Sequence, residues 1–228
     1  MQKLIVLTGA GVSAESGIST FRDKGGLWEG HDIIEVASPI GWNKNKELVL
    51  DFYNQRRRQL KNVKPNNAHK NIKKLEEKYN VTVITQNVDN LHERAGSKNI
   101  VHLHGELTKA RSTIPPYMVY EIGYEDIKLG DHCEKGAQLR PHIVWFGESV
   151  PEIENASEIC SGADIFVVVG SSLVVYPAAG LIQFVPESVP KYIIDPIKPE
   201  IHDYYRNLIF IEENATTGTE KLLKELKI

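Results

Sequence analysis

Hydrophobic positions fall into short, continuous runs separated by longer amphipathic stretches. The runs are Leu4 to Leu7, Val81 to Thr85, Ile143 to Phe146, Ile165 to Val169, Tyr192 to Ile194 and Leu208 to Ile211. Because nearly every position in them is apolar, rather than every second one, they read as strands buried on both faces. Helical patterns lie between them at Lys46 to Leu60, Ala68 to Tyr79, Glu152 to Cys160, Pro177 to Phe184 and Glu220 to Leu226. Strands that alternate with helices predict right-handed crossovers and a parallel sheet, with ligands bound beyond the carboxyl ends of the strands.

Two stretches break this rhythm. Residues 23–63 carry a glycine-rich turn (Gly25, Gly26, Gly30) and a helix with no convincing strand, and residues 106–139 read as irregular, with Pro115, Pro116, Gly123, Gly130 and Gly136. Both are expected to form a smaller lobe inserted into an α/β unit built from approximately 1–22, 64–105 and 140–228.

Composition narrows the class. The 228 residues are 41% hydrophobic and 25% charged, and a chain of that length buries a core without disulfides or metal. A formal charge of −3, with Arg56, Arg57 and Arg58 as the one dense basic run, disfavours nucleic acid as a partner. The longest clean apolar run, Ile165 to Val169, is far short of the roughly 20 residues that span a bilayer. The start is too short in apolar character for a signal peptide, so it reads as a strand and the expected location is the cytoplasm. Two cysteines, Cys133 and Cys160, provide no disulfide framework, fit a reducing compartment, and arithmetically exclude a closed four-cysteine zinc site.

Candidate chemistry begins directly after the first run. TGAGVSAESG at 8–17 places Gly9, Gly11 and Ala14 at the spacing of a strand-to-helix phosphate turn, where glycines admit a pyrophosphate and helix N–H groups bind it. A structural turn into a buried helix would share this spacing. A classical dehydrogenase would continue with a helix, a strand and an acidic residue. Here the chain runs instead through Phe21, Arg22, Gly25, Gly26 and Trp28, either a lid over a cofactor or a loop packed by its aromatics. After Thr85 come Gln86, Asn87, Asp89 and Asn90, placed to grip ribose hydroxyls or an amide, or to cap the helix leading to His92. His102 and His104 share one face of an extended segment, which suits a metal pair or a general base, although no third ligand is evident nearby. His104, followed by Gly105, is the better base candidate.

Taken together, GAGVSAESGISTFR at 9–22, TQNVDNLHERAG at 85–96, HLHGEL at 102–107, RPHIVWFGE at 140–148 and GSSLVVYPAA at 170–179 resemble a sirtuin, an NAD-dependent protein-lysine deacylase. The order of motifs matches over nearly the whole chain. The resemblance implies a Rossmann-like domain with a small lobe, and NAD as cofactor, held by Gly9, Ala10, Gly11, Glu15, Phe21, Arg22, Trp28, Gln86, Asn87, Asp89, Gly170, Ser171, Ser172, Asp195 and Ala215. At position 195 the family usually has asparagine. The resemblance also implies acyl transfer to the cofactor's ribose, releasing nicotinamide and O-acyl-ADP-ribose, with His104 as the base that takes a proton from the ribose diol. Acyl-lysine proteins or peptides would be the partners. They would be stapled by β-augmentation between Phe146-Gly147-Glu148, with Val144, and Val174-Val175-Tyr176.

Tyr53 and Arg56 lie three apart on one helical face, a hydroxyl beside a guanidinium that together suit a carboxylate. The pair is similar to the one that marks sirtuins able to remove succinyl and malonyl groups; without that resemblance the run reads as an exposed basic face with Tyr53 as packing. Most sirtuins hold zinc with four cysteines in the small lobe, where this chain has only Cys133, next to His132. No zinc is therefore expected, and Ile114, Tyr117, Met118 and Tyr120 are expected to pack the lobe instead. An ADP-ribosyltransferase and a non-catalytic ADP-ribose sensor are the alternative functions.

Overall fold

A computed structural model describes residues 1–19, 27–28, 30–199 and 205–228. In chain order the elements are β1 (Lys3–Thr8), α1 (Gly11–Ala14), β2 (Leu27–Trp28), β3 (His31–Asp32), α2 (Ile33–Val36), α3 (Pro39–Lys44), α4 (Lys46–Asn62) and α5 (Asn67–Lys74). There follow β4 (Asn80–Thr85), α6 (Leu91–Ala95), β5 (Ile100–His102), β6 (Gly105–Ser112), β7 (Val119–Glu121) and β8 (Leu139–Ile143). The chain closes with α7 (Ile153–Ser161), β9 (Ile165–Val169), β10 (Lys191–Asp195), β11 (Leu208–Glu212) and α8 (Ala215–Glu225).

Six strands form a parallel sheet in the order β11-β10-β9-β1-β4-β5. Their continuous apolar character has the predicted cause. Leu4, Val6, Val81, Val83, Val167, Val169 and Ile194 point into a core shared with α5 and α8. Their neighbours Ile5, Leu7, Ile84, Phe166, Val168 and Ile193 point into a second core with α7 and a 3₁₀ helix at Ala178–Phe184. The sheet is thus the middle of three layers, the α/β architecture the alternation predicted.

Register sets the level of the site. Thr8 pairs with both Thr85 and Val169, and Val169 with Ile194, so the segments leaving β1, β4, β9 and β10 emerge side by side. The connections reverse direction between β1 and β9, the crevice where such sheets take ligands.

Several expectations are corrected. The run Ile143 to Phe146 is not a strand of the parallel sheet. The strand is Leu139–Ile143, antiparallel to β6 in a three-stranded sheet ordered β7-β6-β8. Its run is apolar because Ile143 and Trp145 enter a third core, while Phe146 is exposed. Residues 106–139 are less irregular than their prolines and glycines indicate. A bulge between Glu106 and Ala110 shifts the register of β6, so the buried Leu107 and Ala110 lie three apart and the two-residue alternation is hidden. Residues 23–63 contain the two-residue pair β2–β3 and two short helices before α4.

The last helix starts five residues earlier than predicted, through the poor helix formers Thr216, Thr217 and Gly218. Tertiary contact overrides propensity here. A Cβ at Gly218 would lie 2.1 Å from Ile194 Cγ2, and Glu15 accepts from Thr216 N at 2.9 Å and Thr216 Oγ1 at 2.6 Å, fastening the helix start to the first turn.

The small lobe is packed differently from expectation. Ile114 and Tyr117 are exposed, and the core is instead Val36, Trp42, Val49, Phe52, Tyr53, Leu107, Ala110, Ile127, Ile143 and Trp145. The basic run of α4 diverges rather than forming one solvated face. Arg56 stacks on the Phe52 ring, with its guanidinium carbon 3.6 Å from the centroid. Arg57 is fully buried and donates to Leu107 O at 2.7 Å and Asn54 Oδ1 at 2.6 Å. Arg58 pairs with Asp126 on the surface. Burial lowers the Arg57 guanidinium to about 10.

Candidate active site

At the end of β1 the chain turns through Gly9, Ala10 and Gly11 into the single helical turn α1. The glycines are required by protein as much as by any ligand. A Cβ at Gly11 would sit 2.6 Å from Gly170 Cα, and one at Gly9 would sit 2.7 Å from Gly170 O. Gly170 itself has φ +63°, and its own Cβ would meet Val12 N at 2.3 Å. The glycine turn and the loop after β9 therefore interlock backbone to backbone, and Gly11 N donates to Gly170 O at 2.9 Å. Ser171 is buried, and its Oγ accepts from Gln86 Nε2 at 3.0 Å, tying the β4 loop to the β9 loop.

Beneath these turns lies a buried polar cluster. Ser13 Oγ donates to Asp89 Oδ2 at 2.9 Å, and Asn87 Nδ2 donates to Gly9 O at 3.1 Å and Ser13 Oγ at 3.2 Å. The second Asp89 oxygen accepts from Leu91 N at 3.0 Å, so Asp89 both caps α6 and faces the β1 turn. Burial raises the Asp89 carboxyl above the usual carboxylate range against the pull of those two bonds. Thr8 Oγ1 bonds Thr85 Oγ1 at 2.8 Å and the ring of His92 at 3.1 Å, and His92 lies against His69 with centroids 4.9 Å apart. Burial keeps both histidines neutral, His69 at about 4 and His92 well below its ordinary value. Spacing alone did not single out Ser13, His69 or His92 for this cluster, since three separate elements bring them together.

His104 follows β5 and is partly buried. Its Nδ1 lies 2.9 Å from the carbonyl oxygen of Gln86, and a carbonyl only accepts. Nδ1 therefore carries the proton, and Nε2 keeps its lone pair. Burial lowers the His104 imidazole below its ordinary value despite that bond, so it stays neutral and basic near neutral pH. Gly105 serves the fold here rather than close approach of a substrate: at φ +81° its Cβ would lie 2.0 Å from His142 O.

His102 has a different environment. Its Nε2 lies 2.6 Å from Glu93 Oε1 and its Nδ1 3.3 Å from Asn87 O. Burial alone would lower it, but Glu93 and Glu106 outweigh that and raise it. Among the described residues a group of three possible metal donors does form, Glu93, His102 and Glu106, with ligand atoms within 4.8 Å of one another, but it does not include His104, so it is not the histidine pair the spacing offered. Lys109 Nζ bonds Glu106 at 2.7 Å, so the cluster is already charge-paired.

The other predicted positions are placed as follows. Glu15 is occupied by Thr216, Ala215 is buried at the start of α8, and buried Asp195 accepts from Ile197 N at 3.0 Å. Ser172 is half-buried. Phe21, Arg22 and the side chain of Trp28 lie outside the described residues. Neither predicted peptide-binding segment is a strand: Phe146, Gly147, Val174 and Tyr176 are exposed loop residues, and Val144 is half-buried. Phe146 N is used by Ala37 O at 2.9 Å. The Glu148 carboxylate is held by Arg140 Nη1 at 2.7 Å, Arg111 Nη2 at 3.1 Å and Trp145 N at 2.8 Å. Tyr53 is fully buried and adjoins half-buried Arg56.

Residues 9–177 match the model of the Sir2 family. The chain belongs to the Sir2 family. A Bacteroides thetaiotaomicron NAD-dependent protein deacylase is 54% identical over all of this chain and 99% of its own length. A Helicobacter pylori protein of the same name is 53% identical over 99% of this chain and 96% of its own. Among solved structures, a Sir2 homolog–NAD complex superposes with TM-score 0.88 at 38% identity, covering 99% of this chain and 89% of that one. The three-layer sheet and small antiparallel lobe described above are thus the Sir2 architecture. Among the described residues no helix is long and apolar enough to cross a membrane.

Proposed function

We propose that this Sir2-family chain is an NAD-dependent protein-lysine deacylase that removes acetyl groups and also succinyl and malonyl groups, yielding nicotinamide and O-acyl-ADP-ribose. One observation carries the reading. The Gln86 carbonyl fixes the His104 tautomer with a free Nε2, beside the buried Asn87 and Asp89 at the carboxyl ends of β1 and β4. The relatives' name and the NAD complex of the structural neighbour support it.

NAD fits the donor set. Gly9, Ala10, Gly11, Gly170, Ser171 and Ser172 line the turns at the β1/β9 reversal, with Gln86, Asn87 and Asp89 on the β4 side and Glu15, Asp195 and Ala215 toward β10 and α8. Phe21, Arg22 and Trp28 are assigned to the same cofactor by resemblance. The cofactor supplies an electrophilic ribose carbon and the diol that receives the acyl group. The protein's own contribution is positional and protonic. Asn87 and Asp89 are held rigid through Ser13 and the cap of α6, and His104 Nε2 accepts a proton from a ribose hydroxyl. Acyl-lysine peptides are the proposed partners, with Val144, Phe146, Gly147, Glu148, Val174 and Tyr176 along their path. The lobes are proposed to divide as the sequence indicated, at about 23–63 and 106–139.

The acidic-acyl part rests on Tyr53 and Arg56. With acetyl-lysine and succinyl-lysine peptides followed by mass spectrometry, both should lose their acyl group only when NAD is present. Arg56→Met should lower succinyl removal by about tenfold or more while sparing acetyl. Equal loss on both peptides would make Arg56 structural, and nicotinamide release without acyl peptide would favour ADP-ribosyl transfer.

We also propose that the small lobe holds no zinc. The donors do not fit a closed site: buried Cys133 takes a hydrogen bond from Ser112 Oγ at 3.4 Å, and the metal-capable group among the described residues does not include it. Elemental analysis should find well under one zinc per chain; stoichiometric metal would overturn this.

A further inference from the structure

We propose that His102 is a positioning residue for NAD binding, its ring bracing the Asn87 carbonyl so that the Asn87 and Asp89 side chains meet the cofactor in one fixed arrangement. The inference rests on the reading above that these two residues hold NAD. The segment 102–107 supplies a donor to each of the four consecutive carbonyls from Thr85 to Val88. Leu103 N donates to Thr85 O at 2.9 Å, and Leu107 N donates to Val88 O at 2.8 Å. Between them His104 Nδ1 lies 2.9 Å from Gln86 O, and His102 Nδ1 lies 3.3 Å from Asn87 O. The two histidines thus serve neighbouring carbonyls. A carbonyl only accepts, so both Nδ1 atoms carry protons.

The brace is anchored on its far side. His102 Nε2 lies 2.6 Å from Glu93 Oε1 on α6, and the His102 side chain is only 11% exposed. An ionised carboxylate also only accepts, so the ring donates at both ends, to Asn87 and to Glu93. Asp89 lies along the chain between those two contacts, and its Oδ1 accepts from Leu91 N at the start of the same helix. His102 therefore closes the segment 87–93 from the β5 side. From the β1 side the Asn87 amide donates to Gly9 O and Ser13 Oγ, and Ser13 Oγ donates to Asp89. Asn87 is buried, so removing the His102 donor leaves its carbonyl without that bond, and the loop relaxes to satisfy it. Where His104 is proposed to take a proton, His102 keeps the pocket in shape.

Two conservative variants separate the ring nitrogens. An asparagine amide nitrogen is as many bonds from Cα as Nδ1, and a glutamine amide nitrogen as many as Nε2. His102→Asn therefore keeps the donor to Asn87, and His102→Gln keeps the donor to Glu93. Both are compared with His102→Ala and the wild type for NAD affinity by calorimetry and for turnover of an acetyl-lysine peptide. His102→Gln and His102→Ala should each weaken NAD binding about tenfold, the weight of one hydrogen bond, whereas His102→Asn should stay within about threefold and peptide KM within about twofold throughout. Rescue by Gln rather than Asn would place the role of the ring on Glu93 and overturn the inference. Equal weakening in all three variants would make the ring packing alone and overturn it too, as would unchanged affinity. If His102→Ala fails to fold, the comparison of Asn with Gln carries the test. A wild type that binds NAD but removes no acyl group would remove the deacylase reading and leave the affinities to decide this inference, whereas one that does not bind NAD would remove both.

Discussion

His104→Tyr should abolish deacylation while NAD still binds. The imidazole is set up as a base by one bond: the Gln86 carbonyl accepts from Nδ1–H, which keeps the proton on Nδ1 and leaves Nε2 with its lone pair. A phenol has no comparable lone pair near neutral pH, so the general-base contribution, roughly 10²- to 10⁴-fold, should be lost. The pH profile follows the same logic. Burial lowers the His104 pKa, so its proton is gained only below the ordinary histidine value of ~6.5. Activity should therefore hold as pH drops through that value and fall only further on the acid side. Turnover of an acetyl-lysine peptide, with NAD affinity from calorimetry, checks both parts. A variant with full turnover, or an acid limb above the ordinary histidine value, would remove His104 from the role.

The second large effect is on stability. Asn54→Ala should cost about 3–5 kcal/mol. The Asn54 amide donates to Ile127 O at 2.9 Å and accepts from Ile127 N at 3.0 Å and from Arg57 Nη1 at 2.6 Å. Truncation leaves three buried polar groups without that partner, one of them on a guanidinium that has no exposed surface. Asn54 and Arg57 thereby fasten α4 to the segment around Ile127 and to β6, through Leu107 O. Urea denaturation at unchanged slope should show the lowered midpoint. A loss below about 1 kcal/mol would mean that the third core alone holds the lobe together.

Legibility followed from burial geometry. Residues Ile165–Val169 are buried at every position, so their strand could be read directly, and β1, β4 and β10 were legible for the same reason. The β6 strand was not, because its bulge moves Leu107 and Ala110 onto one face at a spacing of three. The run at Ile143 to Phe146 misled because a strand end and a turn can both be apolar when Ile143 and Trp145 fill the same core. Gln86, Asn87, Asp89 and His104 could be singled out as candidates because they are polar residues directly after buried strands, while their ties to Ser171, Gly9, Ser13 and Leu91 were not legible. The glycines were legible as a turn, but their main neighbour proved to be Gly170 across the crevice.

The sequence by itself determined the parallel α/β architecture, the family and the candidate reactive residues, because these depend on residue type and on neighbours close along the chain. Only the tertiary structure decided the His104 tautomer, the separate fates of Arg56, Arg57 and Arg58, and the coupling of Glu148 to Tyr53 through Arg140 and Trp145. Arg56 stacks on Phe52 four residues away in α4, but the Gln86–His104, Arg57–Leu107 and Tyr53–Trp145 contacts join residues 18, 50 and 92 apart. No periodicity within a single element encodes such contacts.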